Sequence, residues 1–144
     1  MTAGSSALLG LAGTISLAIA LLQFVMYFGG PDVYRLCGTP ESLIAFRVCR
    51  PGWALVVEVV LFTVFTVFGA YAFSGAGWIR PLPWRASGLA ATAVVYLLRG
   101  IFVIPQLAGT LPLSSRRDRC YSLIALAVGV AYALPTSWHW QDLE

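Results

Sequence analysis

The chain has 144 residues, of which 59% are hydrophobic and only 10% charged, whereas an ordinary soluble domain carries roughly 25% charged residues. So little charge cannot cover a water-facing surface. The net charge of +3 is no nucleic-acid footprint either, because the arginines flank apolar runs instead of forming a basic patch. The apolar residues gather into four runs, each near the roughly 20 residues that cross about 30 Å of hydrocarbon.

The first run, Ser6 to Phe28, is unbroken. It is preceded by "MTAGSSALLG", which has no Lys or Arg to form a signal-peptide n-region, and it exceeds the apolar core of about 7 to 15 residues of such peptides. It therefore predicts a retained transmembrane helix, although Ala18 to Ala20 also resembles a small-residue cleavage site. Ala12, Ser16 and Ala20 recur every fourth residue and allow close helix approach. We read them as an internal contact, with a dimer face as the alternative.

The connection that follows opens with Gly29, Gly30 and Pro31 and is punctuated again at Gly38 and Pro40. From Glu41 to Val48, Leu43, Ile44, Phe46 and Val48 are mixed with Glu41 and Arg47, which suits a short amphipathic helix at the membrane interface. Cys37 and Cys49 could close a disulfide in an oxidising compartment, and they are reduced thiols if this loop is cytoplasmic. No C-x-x-C occurs.

The second run, Trp53 to Phe73, contains Glu58; after "SGAGWIRPLPWRAS" comes the third, Gly88 to Leu107, with Arg99 inside it and a local kink expected at Pro105. "AGTLPLSSRRDR" leads to the fourth, Cys120 to Leu134, extending weakly to Trp138. Short connections make successive helices antiparallel neighbours. The predicted fold is all-α: one integral-membrane antiparallel four-helix bundle, spans about 6–28, 53–73, 88–107 and 120–138, with a short interfacial helix between helices one and two. Five tryptophans near span ends form an aromatic belt.

All nine basic residues are arginine, which with abundant Ala, Gly and Leu points to a GC-rich bacterial genome and hence to the bacterial inner membrane. Six arginines lie in or beside connections one and three, and Arg80 and Arg85 lie in connection two. The positive-inside rule then puts connections one and three in the cytoplasm and both termini outside.

Polar residues inside the spans mark the candidate site. An ionised side chain at a helix centre costs roughly 2.5 to 3.5 kcal/mol on insertion scales unless it is paired or wet. Glu58 lies about 8 Å and Arg99 about 12 Å from the same membrane side at helical rise, so the two are expected to pair. Gln23 and Gln106 fall at similar depth. Glu58, Arg99, Gln23 and Gln106 thus form a predicted polar niche, either fixing helix packing or binding a ligand, ion or proton. In the opposite leaflet Thr14, Thr63, Thr66 and Thr92 can bond their own helix backbones. The single histidine, His139, is a tail residue without a ligand cluster around it, so no metal, cofactor or catalytic residue is expected.

The succession "FGGPDVYRL", "YAFSGAGWIRPLP" and "YLLRGIFVIP" resembles small four-span bacterial membrane proteins to which no activity is attached; the resemblance covers about three quarters of the chain and implies the fold alone. Four helices with one embedded glutamate also resemble small multidrug exporters, but their glutamate lies in the first helix, and Glu58 is in the second. The four-helix eicosanoid and glutathione enzymes are of similar size, and their arginine- and histidine-containing helix motif is missing here. The favoured expectation is a non-enzymatic accessory or interaction protein in the lipid bilayer, associating with itself or with a membrane-protein partner. An oligomeric small-molecule transporter or channel subunit is the alternative.

Overall fold

A computed structural model describes residues 2–101, 104 and 116–143. The described residues are helical, without strands, in the order α1 (Ala3–Leu36), α2 (Glu41–Cys49), α3 (Pro51–Ala76), α4 (Arg85–Ile101), α5 (Arg116–Trp138) and α6 (Trp140–Leu143). Three helices are long and apolar enough to cross a membrane: Ala3–Leu36, Pro51–Ala76 and Arg119–Trp138. The 17-residue helix α4 covers the third predicted span as far as Ile101; beyond it only residue 104 is described, and Pro105 and Gln106 lie outside the described residues.

One feature adds to expectation for a local reason. Helical geometry is lost at Gly30, where φ is 75° and ψ is −171°, as the Gly-Gly-Pro punctuation leads one to expect, and a second helical stretch then runs on to Leu36 within the range given for α1. Glycine tolerates that left-handed φ without a Cβ clash. Pro31, which lacks an N–H and has φ preset, then suits the first position of the resumed helix. The predicted amphipathic helix is present as α2, entered from Pro40 after a turn at Gly38 and burying Ile44. Among the described residues no disulfide is formed by Cys37, Cys49 or Cys120.

The chain divides into two compact units, Met1–Ile15 with Phe68–Glu144, and Ser16–Val67. In the first, the start of α1 packs on the end of α3. Leu9 is fully enclosed beside Gly75, and Ser6 Oγ donates to the Ala76 carbonyl at 2.6 Å. The α3 terminus closes with Trp78 N–H donating back to Phe73 O at 2.9 Å and Gly77 at φ +78°, the left-handed helix-ending motif that favours glycine. Nothing crowds Gly77 within 4 Å, so Gly77→Ala tests backbone conformation alone. It should cost about 1 to 2 kcal/mol, read as a lower Tm in detergent.

Below that turn, Ser74 Oγ accepts from Leu82 N–H at 2.9 Å and so ties the connection to α4 back to α3. The centre of this unit is aromatic. Tyr96 and Tyr132 stack at 5.7 Å, Phe68 lies 5.9 Å from Tyr96, and the Tyr132 hydroxyl donates to the Phe68 carbonyl at 3.1 Å. Contacts between α4 and α5 run in opposite senses along the two helices: Tyr96 meets Tyr132, Leu97 meets Gly129, and Gly100 meets Leu126.

In the unit Ser16–Val67, α1 packs beside α3 through the edge-on Phe24–Phe62 contact at 5.0 Å. Arg35 pairs with Asp32 at 3.2 Å and Glu41 at 3.0 Å across the corner between α1 and α2. Both pairs are exposed and contribute little stability. The predicted threonine bonds are present: Thr14, Thr63, Thr66 and Thr92 each donate to the carbonyl four residues earlier. The small residues Ala12, Ser16 and Ala20 are buried, as an internal contact requires.

Candidate functional site

The unit Ser16–Val67 carries a half-open cavity of about 230 Å³. From α3 it is lined by Ala54, Glu58 and Leu61, spaced i, i+4, i+7 on one helix face, with Val57 beside them. Gln23 and Met26 line it from α1, and Leu43, Phe46 and Arg47 from α2. Arg47 stands one turn after the buried Ile44, on the inward side of an amphipathic helix, where a cation requires partners.

It has several. The Arg47 guanidinium lies 5.1 Å from the ring centroids of both Tyr27 and Tyr34 and donates through Nη2 to the Tyr27 carbonyl. Contacts of this kind are worth about 0.5 to 2 kcal/mol each, more when desolvated. The resumed helix after Gly30 carries Tyr34, which is buried, and its hydroxyl donates to Glu58 Oε1. Tyr34 thus serves both charges at once, the cation on its ring and the carboxylate at its hydroxyl.

Two polar atoms are left over. Arg47 Nε and Glu58 Oε2 are buried with no hydrogen-bond partner among the described residues, a situation that costs about 1 to 3 kcal/mol per atom. One is a donor and the other an acceptor. The arrangement is therefore equipped for recognition of something bearing both an anionic and a cationic group.

Of the four niche residues expected, Glu58 and Gln23 line this cavity together. Gln106 lies outside the described residues. Arg99 belongs to the other unit: it is exposed on α4, and its Nη1 donates to Ser122 Oγ on α5 at 2.9 Å. The buried face of α4 is Ala86, Leu89, Thr92, Ala93, Tyr96 and Gly100; Arg99 sits at its flank and reaches the buried Ser122 along its stem. The expectation of a buried Arg99 is corrected by that placement. Glu58 and Arg99 each have a partner within their own unit, Tyr34 and Ser122.

Sequence reasoning missed Arg47 as a site residue, counting it only as a polar position of the amphipathic helix and as a vote on topology, and did not single out Tyr34. The usable signal was an arginine three residues after Ile44 on an otherwise apolar helix face. His139 is likewise more than a tail residue: its Nε2 lies 3.1 Å from Ser5 Oγ, which shares a second hydrogen bond with Thr2 at 2.8 Å. Ser5 is buried, so the contact ties the first turn of α1 to the end of α5. Among the described residues no group of three His, Cys, Asp or Glu is placed to hold a metal ion. No protein-family model, curated protein or solved structure matches the chain.

Proposed function

We propose that this chain is a four-span antiparallel membrane protein of the bacterial inner membrane that binds an amphiphile in its cavity and acts as a non-enzymatic accessory or interaction component. The resemblance to small four-span bacterial membrane proteins and the three membrane-length helices support the fold. The excess of arginine around connections one and three supports a cytoplasmic location for both, with the termini outside. The observation that carries the functional reading is the cavity itself. Its walls are apolar, and its polar groups, Glu58, Arg47 and Gln23, are held to recognise a ligand rather than to activate one.

The unpartnered Glu58 oxygen favours a second reading, in which an oligomer of this chain moves its ligand across the membrane with Glu58 gaining and losing a proton. The two readings separate in sealed vesicles. Purified protein in nanodiscs should bind short-chain phospholipids or alkylamines saturably. In proteoliposomes with an imposed pH gradient it should not accumulate the same compounds. Absence of saturable binding across that panel would overturn the binding reading. Gradient-driven uptake abolished by Glu58→Gln would put the transport reading in its place.

A further inference from the structure

The nature of the amphiphile follows from the two atoms that the fold leaves unanswered, and it rests on the binding reading above. Arg47 Nε is an N–H donor and Glu58 Oε2 an acceptor, both without partners, and Tyr34 links the two side chains. We propose that the cavity receives a zwitterionic head group whose primary ammonium bonds Glu58 and whose phosphate meets Arg47.

Charge balance selects this class. Glu58 and Arg47 already form a neutral set in an apolar setting, where a ligand of single charge adds an uncompensated ion and a ligand of both signs does not. The torsion that orients the carboxylate is soft and nearly two-fold. Either carboxylate oxygen can therefore serve the Tyr34 hydroxyl, which leaves the other for a ligand. The guanidinium lies 5.1 Å from the centroids of both rings, and its planar fork of donors is suited to phosphate oxygens.

Size and wall chemistry agree. A cavity of about 230 Å³ is smaller than the roughly 300 to 1,000 Å³ that hold whole drug-sized ligands, so it suits a head group. Leu43, Phe46 and Val57 line the cavity and are also 55%, 41% and 46% exposed, so an attached hydrocarbon chain has apolar surface to follow outward. A trimethylammonium head has no N–H to offer a carboxylate. A phosphoglycerol head has the phosphate but no cation to offer Glu58.

The test uses the full chain in maltoside micelles and isothermal titration with four probes. These are the dihexanoyl forms of phosphatidylethanolamine, phosphatidylcholine and phosphatidylglycerol, and the chain-free glycerophosphoethanolamine. The ethanolamine lipid should bind about tenfold or more tightly than the choline and glycerol lipids, and Glu58→Gln should shrink that preference to below about threefold. Binding of glycerophosphoethanolamine as tight as that of the lipid would assign a water-soluble phosphodiester; tenfold weaker binding, as the apolar walls favour, assigns a membrane lipid. Equal binding of the three lipids by the unmodified protein would overturn the head-group assignment and leave the binding reading standing, whereas no binding of any would remove both. Full preference retained in Glu58→Gln would also overturn it. Should that variant not fold, the lipid series on the unmodified protein decides alone.

Discussion

Replacing Glu58 with arginine should cost about 3 to 5 kcal/mol of stability, because it removes the acceptor of the Tyr34 hydroxyl and sets a second guanidinium beside Arg47 in a half-buried site. Arg99→Glu should cost less, about 1 to 2 kcal/mol: Arg99 is exposed, and what is lost is its bond to the buried Ser122 hydroxyl. The informative measurement is the double reversal. Side chains with separate partners have additive effects to within about 0.5 kcal/mol, so thermal unfolding in nanodiscs should show the double variant losing the sum of both. A swap that restores stability would make Arg99 the partner of Glu58 and displace Tyr34 from that role.

Gly100→Ala should be a highly damaging single-methyl change among the described glycines. A Cβ at that position would lie 2.6 Å from Leu126 Cα and 2.7 Å from Leu126 N, and both atoms are backbone of α5, so no side chain can turn aside. The glycine contacts are reciprocal: Gly129 on α5 receives the Leu97 backbone of α4, where an added Cβ would stand 2.9 Å from the amide nitrogen. In lipid, helices gain little from excluding water from one another, and close backbone approach across small residues takes over. We expect a loss of about 2 to 3 kcal/mol for Gly100→Ala and a larger one for Gly100→Leu. Gly52→Ala, also helical but with nothing within 4 Å, is the control and should be neutral or stabilising by up to about 1 kcal/mol. Equal losses at the two positions, measured by Tm in one detergent, would show that the α4–α5 contact does not depend on this approach.

Apolar run lengths and Gly/Pro punctuation made the helices legible from sequence, because hydrocarbon thickness and backbone bonding leave few alternatives for residues such as those from Trp53 to Phe73. Even α2 could be placed, from its mixed pattern between Pro40 and Arg50. The threonines were legible for a local reason, since each needs only the carbonyl four residues back in its own helix. Charge partners were not. Depth along a helix was estimated from residue counts, and it brought Glu58 and Arg99 to similar levels; which face each occupies depends on how the helices turn, and depth carries no information on that. Tyr34 was hidden because it follows the break at Gly30, in a short second helical stretch that the Gly-Gly-Pro punctuation does not announce. Arg47 was overlooked because an arginine near a membrane surface has an ordinary explanation in topology. Its position one turn from Ile44 was the stronger signal.

The aromatic centre has a bearing on the order in which the protein assembles. The turn that joins α3 to α4 is closed entirely by near neighbours in the chain, Gly77, Ser74 and Leu82, so this hairpin can complete as soon as both arms have left the ribosome. Tyr132 is supplied by the last long helix and bonds back to Phe68, 64 residues earlier. Without it, Tyr96 lacks its contact with Tyr132 and the glycine face of α4 lacks the backbone of α5 against it. A nascent chain arrested before α5 therefore holds a formed hairpin with an unfilled seat, and the final helix acts as the keystone that converts an inserted polypeptide into a folded one.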